Sequence, residues 1–135
     1  MATEKSARFK RVLLVDDNDI DNFINERIIT SSFFSEKVEV KTSAQAALDF
    51  LKKNATNADV LPQVIFLDLN MPVMDGFAFL TEFDKMPDNV KKSCKVIVLS
   101  SSISPEDINK ASTNPFVVKY LNKPLAEKYL DAVSF

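Results

Sequence analysis

The chain has 135 residues, with 17 Lys and Arg against 19 Asp and Glu for a net charge of −2, one Cys, one Gly and no His. That length suits one domain around a single core, and 46% hydrophobic with 27% charged residues is an ordinary globular composition. The near balance of charge argues against nucleic-acid binding by phosphate neutralisation, Gly76 alone cannot build a P-loop or a dinucleotide loop, and the lack of His excludes a Ser-His-Asp triad. A lone Cys94 makes no internal disulfide, which suits a reducing, cytoplasmic setting. The longest early apolar run, 12–15, is far short of the roughly 20 residues of a spanning helix, so no membrane insertion is expected.

Residues 1–8 are polar and aperiodic and read as a flexible lead-in; residues 9–135 form the domain. Val12, Leu13, Leu14 and Val15 make a continuous apolar run that stops at acids, as a strand buried on both faces does. Ile20, Phe23, Ile24 and Ile28 then recur at helical spacing, with Asp21, Asn22, Asn25 and Glu26 opposite, which predicts a helix with its apolar side inward. Residues 37–42 alternate weakly through Val38 and Val40 and predict an edge strand. Ser43 caps a helix striped by Ala44, Ala47, Leu48 and Leu51. Val64, Ile65, Phe66 and Leu67 repeat the buried-strand pattern and end at Asp68, before a turn spanning 70–76 and a helix marked by Phe77, Leu80 and Phe83. A fourth strand over 95–99 ends in Ser100, Ser101 and Ser102. Ser104 and Pro105 open a fourth helix, 116–121 reads as the last strand, and 125–133 as a short final helix carrying Leu125, Tyr129 and Val133.

Five strand signals alternating with five helix signals predict an α/β fold, a doubly wound parallel sheet with helices on both faces. Ligands bind such sheets at the carboxyl ends of the strands. Here those ends carry Asp16 and Asp17, Asp68, Ser100, and Lys123 with Pro124. In a flavodoxin-like order 2-1-3-4-5 the first and third strands are neighbours about 4.8 Å apart, and three carboxylates converge. Two charges that close repel by roughly 3 kcal/mol at an effective dielectric of ~20, so the cluster should recruit a cation or keep one acid protonated. An all-oxygen site of few ligands suits Mg²⁺. With Lys123 as a positive charge and Ser100 as a hydroxyl, these parts suffice for phosphoryl transfer onto a carboxylate.

Five linked segments carry a resemblance. Val12 to Asn18 holds the acid pair, Phe66 to Gly76 surrounds Asp68, Val96 to Ser100 ends in a hydroxyl, and Tyr120-Leu121-Asn122 is followed by Lys123-Pro124. In this order and spacing the chain resembles the receiver domain of two-component response regulators. The resemblance implies a flavodoxin-like (βα)5 fold with strand order 2-1-3-4-5. It implies Asp68 as phosphoacceptor, and Asp16, Asp17, Asp68 and the Asn70 backbone carbonyl as holders of Mg²⁺ (or Mn²⁺). Ser100 and Lys123 would contact the phosphoryl oxygens, Tyr120 would act as the switch aromatic, Lys123-Pro124 would be cis, and Asn70 and Ser102 would tune the phosphate lifetime. The implied partners are a sensor histidine kinase or histidine phosphotransfer protein, and a downstream protein on the surface of the fourth helix, fifth strand and fifth helix; a homodimer is compatible. Ser43-Ala44 stands where many receivers have Asn-Gly, and the usual Gly before the last strand is replaced around Asn114-Pro115.

The expectation is therefore a stand-alone, phosphorylation-activated cytoplasmic switch and no turnover enzyme. Two rivals stand beside it. A Mg²⁺-dependent phosphatase of the haloacid dehalogenase type would need a second acid where Asn70 stands. A phosphorylation-independent adaptor with the same fold would have no use for the site residues. Taken singly, Asp16 to Asp19 could merely cap a helix and Asp68 merely start a turn; their joint placement with Ser100 and Lys123 favours function.

Overall fold

The structure, a computed structural model, describes residues 7–133. Five strands, β1 (Phe9–Val15), β2 (Ser35–Lys41), β3 (Val64–Leu67), β4 (Lys95–Ser100) and β5 (Val117–Asn122), form one sheet. The helices are α1 (Asp19–Ser31), α2 (Ala44–Lys53), α3 (Gly76–Phe83), α4 (Asp88–Ser93), α5 (Pro105–Ser112) and α6 (Glu127–Asp131). All strand pairs are parallel, in the order β2-β1-β3-β4-β5, the flavodoxin-like arrangement expected from the sequence.

The two-residue period of a strand divides the core into two layers. On one face Leu13, Val15, Ile65 and Leu67 pack with Leu48, Leu51, Phe79, Leu80 and Phe83 from α2 and α3. On the other, Val12, Leu14, Val64 and Phe66 pack with Ile29 of α1, Phe34, Leu125 and Leu130. Burial of both faces is why the central strands are apolar without alternation. Cys94 lies in the first layer, and burial pushes its thiol up to about 12, which leaves it inert. The caps match the sequence at two helices: Ser43 accepts from the Ala46 N–H, and Ser104 from the Asp107 N–H. Asn18 and Asp75 cap α1 and α3 in the same way.

Several expectations need correction. In α1 the inward residues are Asn22, Asn25 and Ile29, spaced three and four apart, while Ile20, Phe23 and Ile24 face solvent and Phe23 is 61% exposed. The reason is local: the start of α1 lies over the polar end of β1, where Asn22 Nδ2 donates to the Asp16 carbonyl at 2.8 Å. A six-residue helix, α4, stands between α3 and β4; with Val90 as its one buried residue it has no stripe to read. The final helix is shorter than 125–133: Leu125 and Val133 are buried outside α6, Leu130 is its buried residue, and Tyr129 is exposed. Most of the expected lead-in, residues 1–6, lies outside the described residues, and the Arg8 N–H donates to the Phe33 carbonyl at 2.8 Å. Among the described residues no helix is long and apolar enough to cross a membrane.

Candidate functional site

The register of the sheet brings the acids together. Val15 of β1 is level with Leu67 of β3, so Asp16 and Asp68 leave adjacent strands side by side, and the Asp68 N–H donates to the Val15 carbonyl at 3.0 Å. Carboxylate oxygens of Asp16, Asp17 and Asp68 all lie within 4.8 Å of one another. Asp16 and Asp68 are buried and Asp17 is exposed, so the cluster opens to solvent on one side. Three carboxylates, and oxygen donors only, make a hard, anionic set that fits Mg²⁺ or Mn²⁺ and not a softer metal.

Lys123 closes the site from the end of β5. Its Nζ donates to Asp16 Oδ2 at 2.6 Å and to Asp21 Oδ2 at 3.0 Å, and stands 3.6 Å from Asp68 Oδ2. Burial works to lower the lysine's pKa, but the hydrogen bonds to Asp16 and Asp21 outweigh it and hold the ammonium charged well above its usual range. Asp68 goes the opposite way for an acid. Burial, then the Asp16 charge, raises its carboxyl from 3.8 to about 6 against the pull of Lys123 and the Asn70 N–H. At neutral pH Asp68 is thus an ionised, poorly solvated carboxylate, which is what a nucleophile needs. Its Oδ1 accepts a long 3.4 Å bond from the Asn70 N–H, and Asn70 itself is exposed.

The last strands hold the hydroxyl and the aromatic. Ser100, fully buried at the end of β4, accepts from the Ser102 N–H at 3.1 Å, and its own carbonyl accepts from the Lys123 N–H at 2.9 Å. Tyr120 Oη donates to the Ser102 carbonyl at 2.8 Å, which ties the aromatic to the loop after β4. Ser102 Oγ donates to Asp107 Oδ2 at 2.7 Å. The Lys123-Pro124 peptide is cis. On the other side of Asp68, a Cβ on Gly76 would sit 2.6 Å from the Asp68 carbonyl oxygen, so only glycine lets α3 start this close to the end of β3.

Asp16, Asp17, Asp68 and Lys123 therefore meet in one cluster, and Ser100, Ser102 and Tyr120 form a hydrogen-bonded group beside it. Sequence reasoning missed two members. The helical pattern sets Asp21 on a solvated face, although its place four residues after Asp17, in the first turn of α1, puts it at the strand ends. Asn122 stands in the segment that precedes Lys123-Pro124 but was given no role there; its Nδ2 donates to the Ser102 carbonyl at 2.9 Å, next to Tyr120.

Comparison with known proteins agrees with this geometry. The family model for the response regulator receiver domain matches residues 12–134. The probable methanogenesis regulatory protein FilR2 of Methanothrix harundinacea is 31% identical over 115 residues, covering 85% of this chain and 72% of that protein. A two-component response regulator from Cytophaga hutchinsonii superposes with a TM-score of 0.85 at 33% identity, over 94% of this chain and 93% of the other. The Mn²⁺-bound form of response regulator Rcp1 superposes with a TM-score of 0.70 at 29% identity, over 90% and 86%. With the sheet order, the acidic cluster and these matches in agreement, the chain belongs to the response regulator receiver domain family.

Proposed function

We propose that this chain is a phosphorylation switch in which Asp68 accepts a phosphoryl group from a phosphohistidine of a sensor histidine kinase or histidine phosphotransfer protein. The observation that carries the reading is Lys123 Nζ set 2.6 Å from Asp16 and 3.6 Å from Asp68 beside three clustered carboxylates. These 135 residues hold no His, so the phosphohistidine lies outside them. An Asp68 carboxylate oxygen attacks phosphorus; an O–P bond forms as the P–N bond breaks, and its electron pair stays on the donor's imidazole. Lys123 neutralises charge on the equatorial oxygens, and the Ser100 hydroxyl, which accepts from the Ser102 N–H, donates its proton to one of them.

Asp16, Asp17, Asp68 and the Asn70 carbonyl would hold Mg²⁺ or Mn²⁺, which when bound supplies the balance of positive charge against the phosphoryl oxygens. On α1, Ile20, Phe23 and Ile24 are exposed, and Ile24 shares a cavity lining with Asp21 and Lys123, which offers a phosphodonor an apolar surface next to the lysine. The output runs through Ser100, Ser102 and Tyr120 to the surface of α5, β5 and α6, where Ile103, Val118 and Tyr129 are exposed to a downstream protein or a second copy. Asn70 and Ser102 flank the reacting group and tune how long it persists. A partner of this kind places the switch in the cytoplasm.

Intact mass spectrometry after incubation with a small acyl-phosphate donor tests the reading. A gain of one phosphoryl group in wild type, dependent on Mg²⁺ and lost in Asp68→Asn, is the expected result; an equal gain in the variant contradicts it.

A further inference from the structure

The Lys123 ammonium is shared with a carboxylate to which the chemistry above gives no role. Asp21, in the first turn of α1, accepts a hydrogen bond from Nζ at 3.0 Å, whereas Asp68 stands at 3.6 Å without one. Asp21 is not part of the acidic cluster of Asp16, Asp17 and Asp68. It lies instead on the far flank of the lysine, where Asp21, Asn25, Ser101, Lys123 and Pro124 border a cavity of ≈ 290 Å³ that Asp68 does not reach. The side chain of Asp21 is 37% exposed against 15% for Lys123, so the bond draws the ammonium outward.

We propose that Asp21 is a positioning residue that restrains Lys123 and thereby weakens the site's hold on a phosphoryl group at Asp68. The inference rests on the reading of Asp68 as phosphoacceptor. An ammonium has three N–H donors, and at rest two are committed to Asp16 and Asp21. A phosphoryl group on Asp68 brings three strong acceptor oxygens and further negative charge to the side of the lysine that faces Asp68, away from the cavity that Asp21 borders. Asp16 lies beside Asp68 in the cluster and competes little with a turn toward it; Asp21 pulls the other way. Removing its charge while keeping its size frees the lysine for the phosphoryl oxygens. A role confined to the helix N-terminus, which Asp19 also serves, would alter stability and leave phosphoryl affinity alone.

Calorimetric titration of beryllofluoride, a phosphoryl mimic, into Mg²⁺-saturated wild type, Asp21→Asn and Asp21→Glu tests this, with Mg²⁺ alone titrated in parallel. Asp21→Asn is expected to bind beryllofluoride about two- to fivefold more tightly, the worth of a partly exposed ion pair, with no gain in Mg²⁺ affinity. Asp21→Glu, which keeps the charge, stays near wild type. Equal or weaker beryllofluoride binding in Asp21→Asn overturns the restraint, as does a Glu variant that shifts as far as the Asn variant. Wild type that binds Mg²⁺ but no beryllofluoride overturns the phosphoacceptor reading and this inference with it.

Discussion

Replacing Asp68 by Asn should stabilise the metal-free protein, and by an amount that depends on pH. The folded structure raises the Asp68 carboxyl from 3.8 to about 6, chiefly through burial and the neighbouring Asp16 charge. Between those values the folded state keeps a proton that the unfolded chain has lost, so stability falls as pH rises through the window and levels off above it. The rise is equivalent to about 3 kcal/mol of stability forgone at neutral pH, an upper bound because Lys123 and solvent relax around the charge. The amide of the variant carries no charge at any pH, so the repulsion between the carboxylates at 68 and 16 is relieved together with the burial of the Asp68 charge, against the loss of its attraction to Lys123. Urea unfolding of both proteins in chelator-containing buffer should show nearly equal stability at about pH 4 and a gap of about 1–3 kcal/mol in favour of the variant at about pH 7.5. A gap that does not widen with pH, or a variant less stable at neutral pH, would refute the claim that Asp68 is a desolvated carboxylate.

Two further perturbations test how the site is held. Gly76→Ala places a methyl 2.6 Å from the Asp68 carbonyl oxygen and 2.8 Å from Leu69 Cα, both backbone atoms that cannot step aside, and should cost about 1–3 kcal/mol in urea unfolding despite alanine's better helix propensity. An unchanged midpoint would mean that α3 and the end of β3 are not packed this closely. In α1, Ile29→Ala should cost about 2–5 kcal/mol, while Ile20→Ala and Phe23→Ala should each stay within about 0.5 kcal/mol. The reverse ranking would restore the inward apolar face that the sequence pattern suggests.

What the sequence disclosed follows from how each feature is encoded. The central strands were legible because burial on both faces leaves an unbroken apolar run, and Asp16, Asp17 and Asp68 because each follows the end of such a run. Lys123 was legible from the adjacent proline and the strand before it. The face of α1 was not, because the periodicity of apolar residues says which side of a helix is greasy and not which side is covered. Asn22 and Asn25 turn inward, Asn22 to meet polar backbone at the end of β1, and Ile20, Phe23 and Ile24 are left outside. The helix α4 was hidden by its brevity. The contacts of Asp21 and Asn122 were hidden for another reason: they cross the fold, over separations of 102 and 20 residues, which no local pattern records.

Asp68 is proposed as the residue that takes the phosphoryl group, and the most direct measurement locates that bond. The chain is incubated with a small acyl-phosphate donor and Mg²⁺, then treated with borohydride, which reduces an aspartyl phosphate to homoserine, and digested for peptide mass mapping. Conversion at position 68, dependent on Mg²⁺ and on the donor, is the result predicted. Conversion at Asp16, Asp17 or Asp21, or labelling that survives in Asp68→Asn, would contradict it.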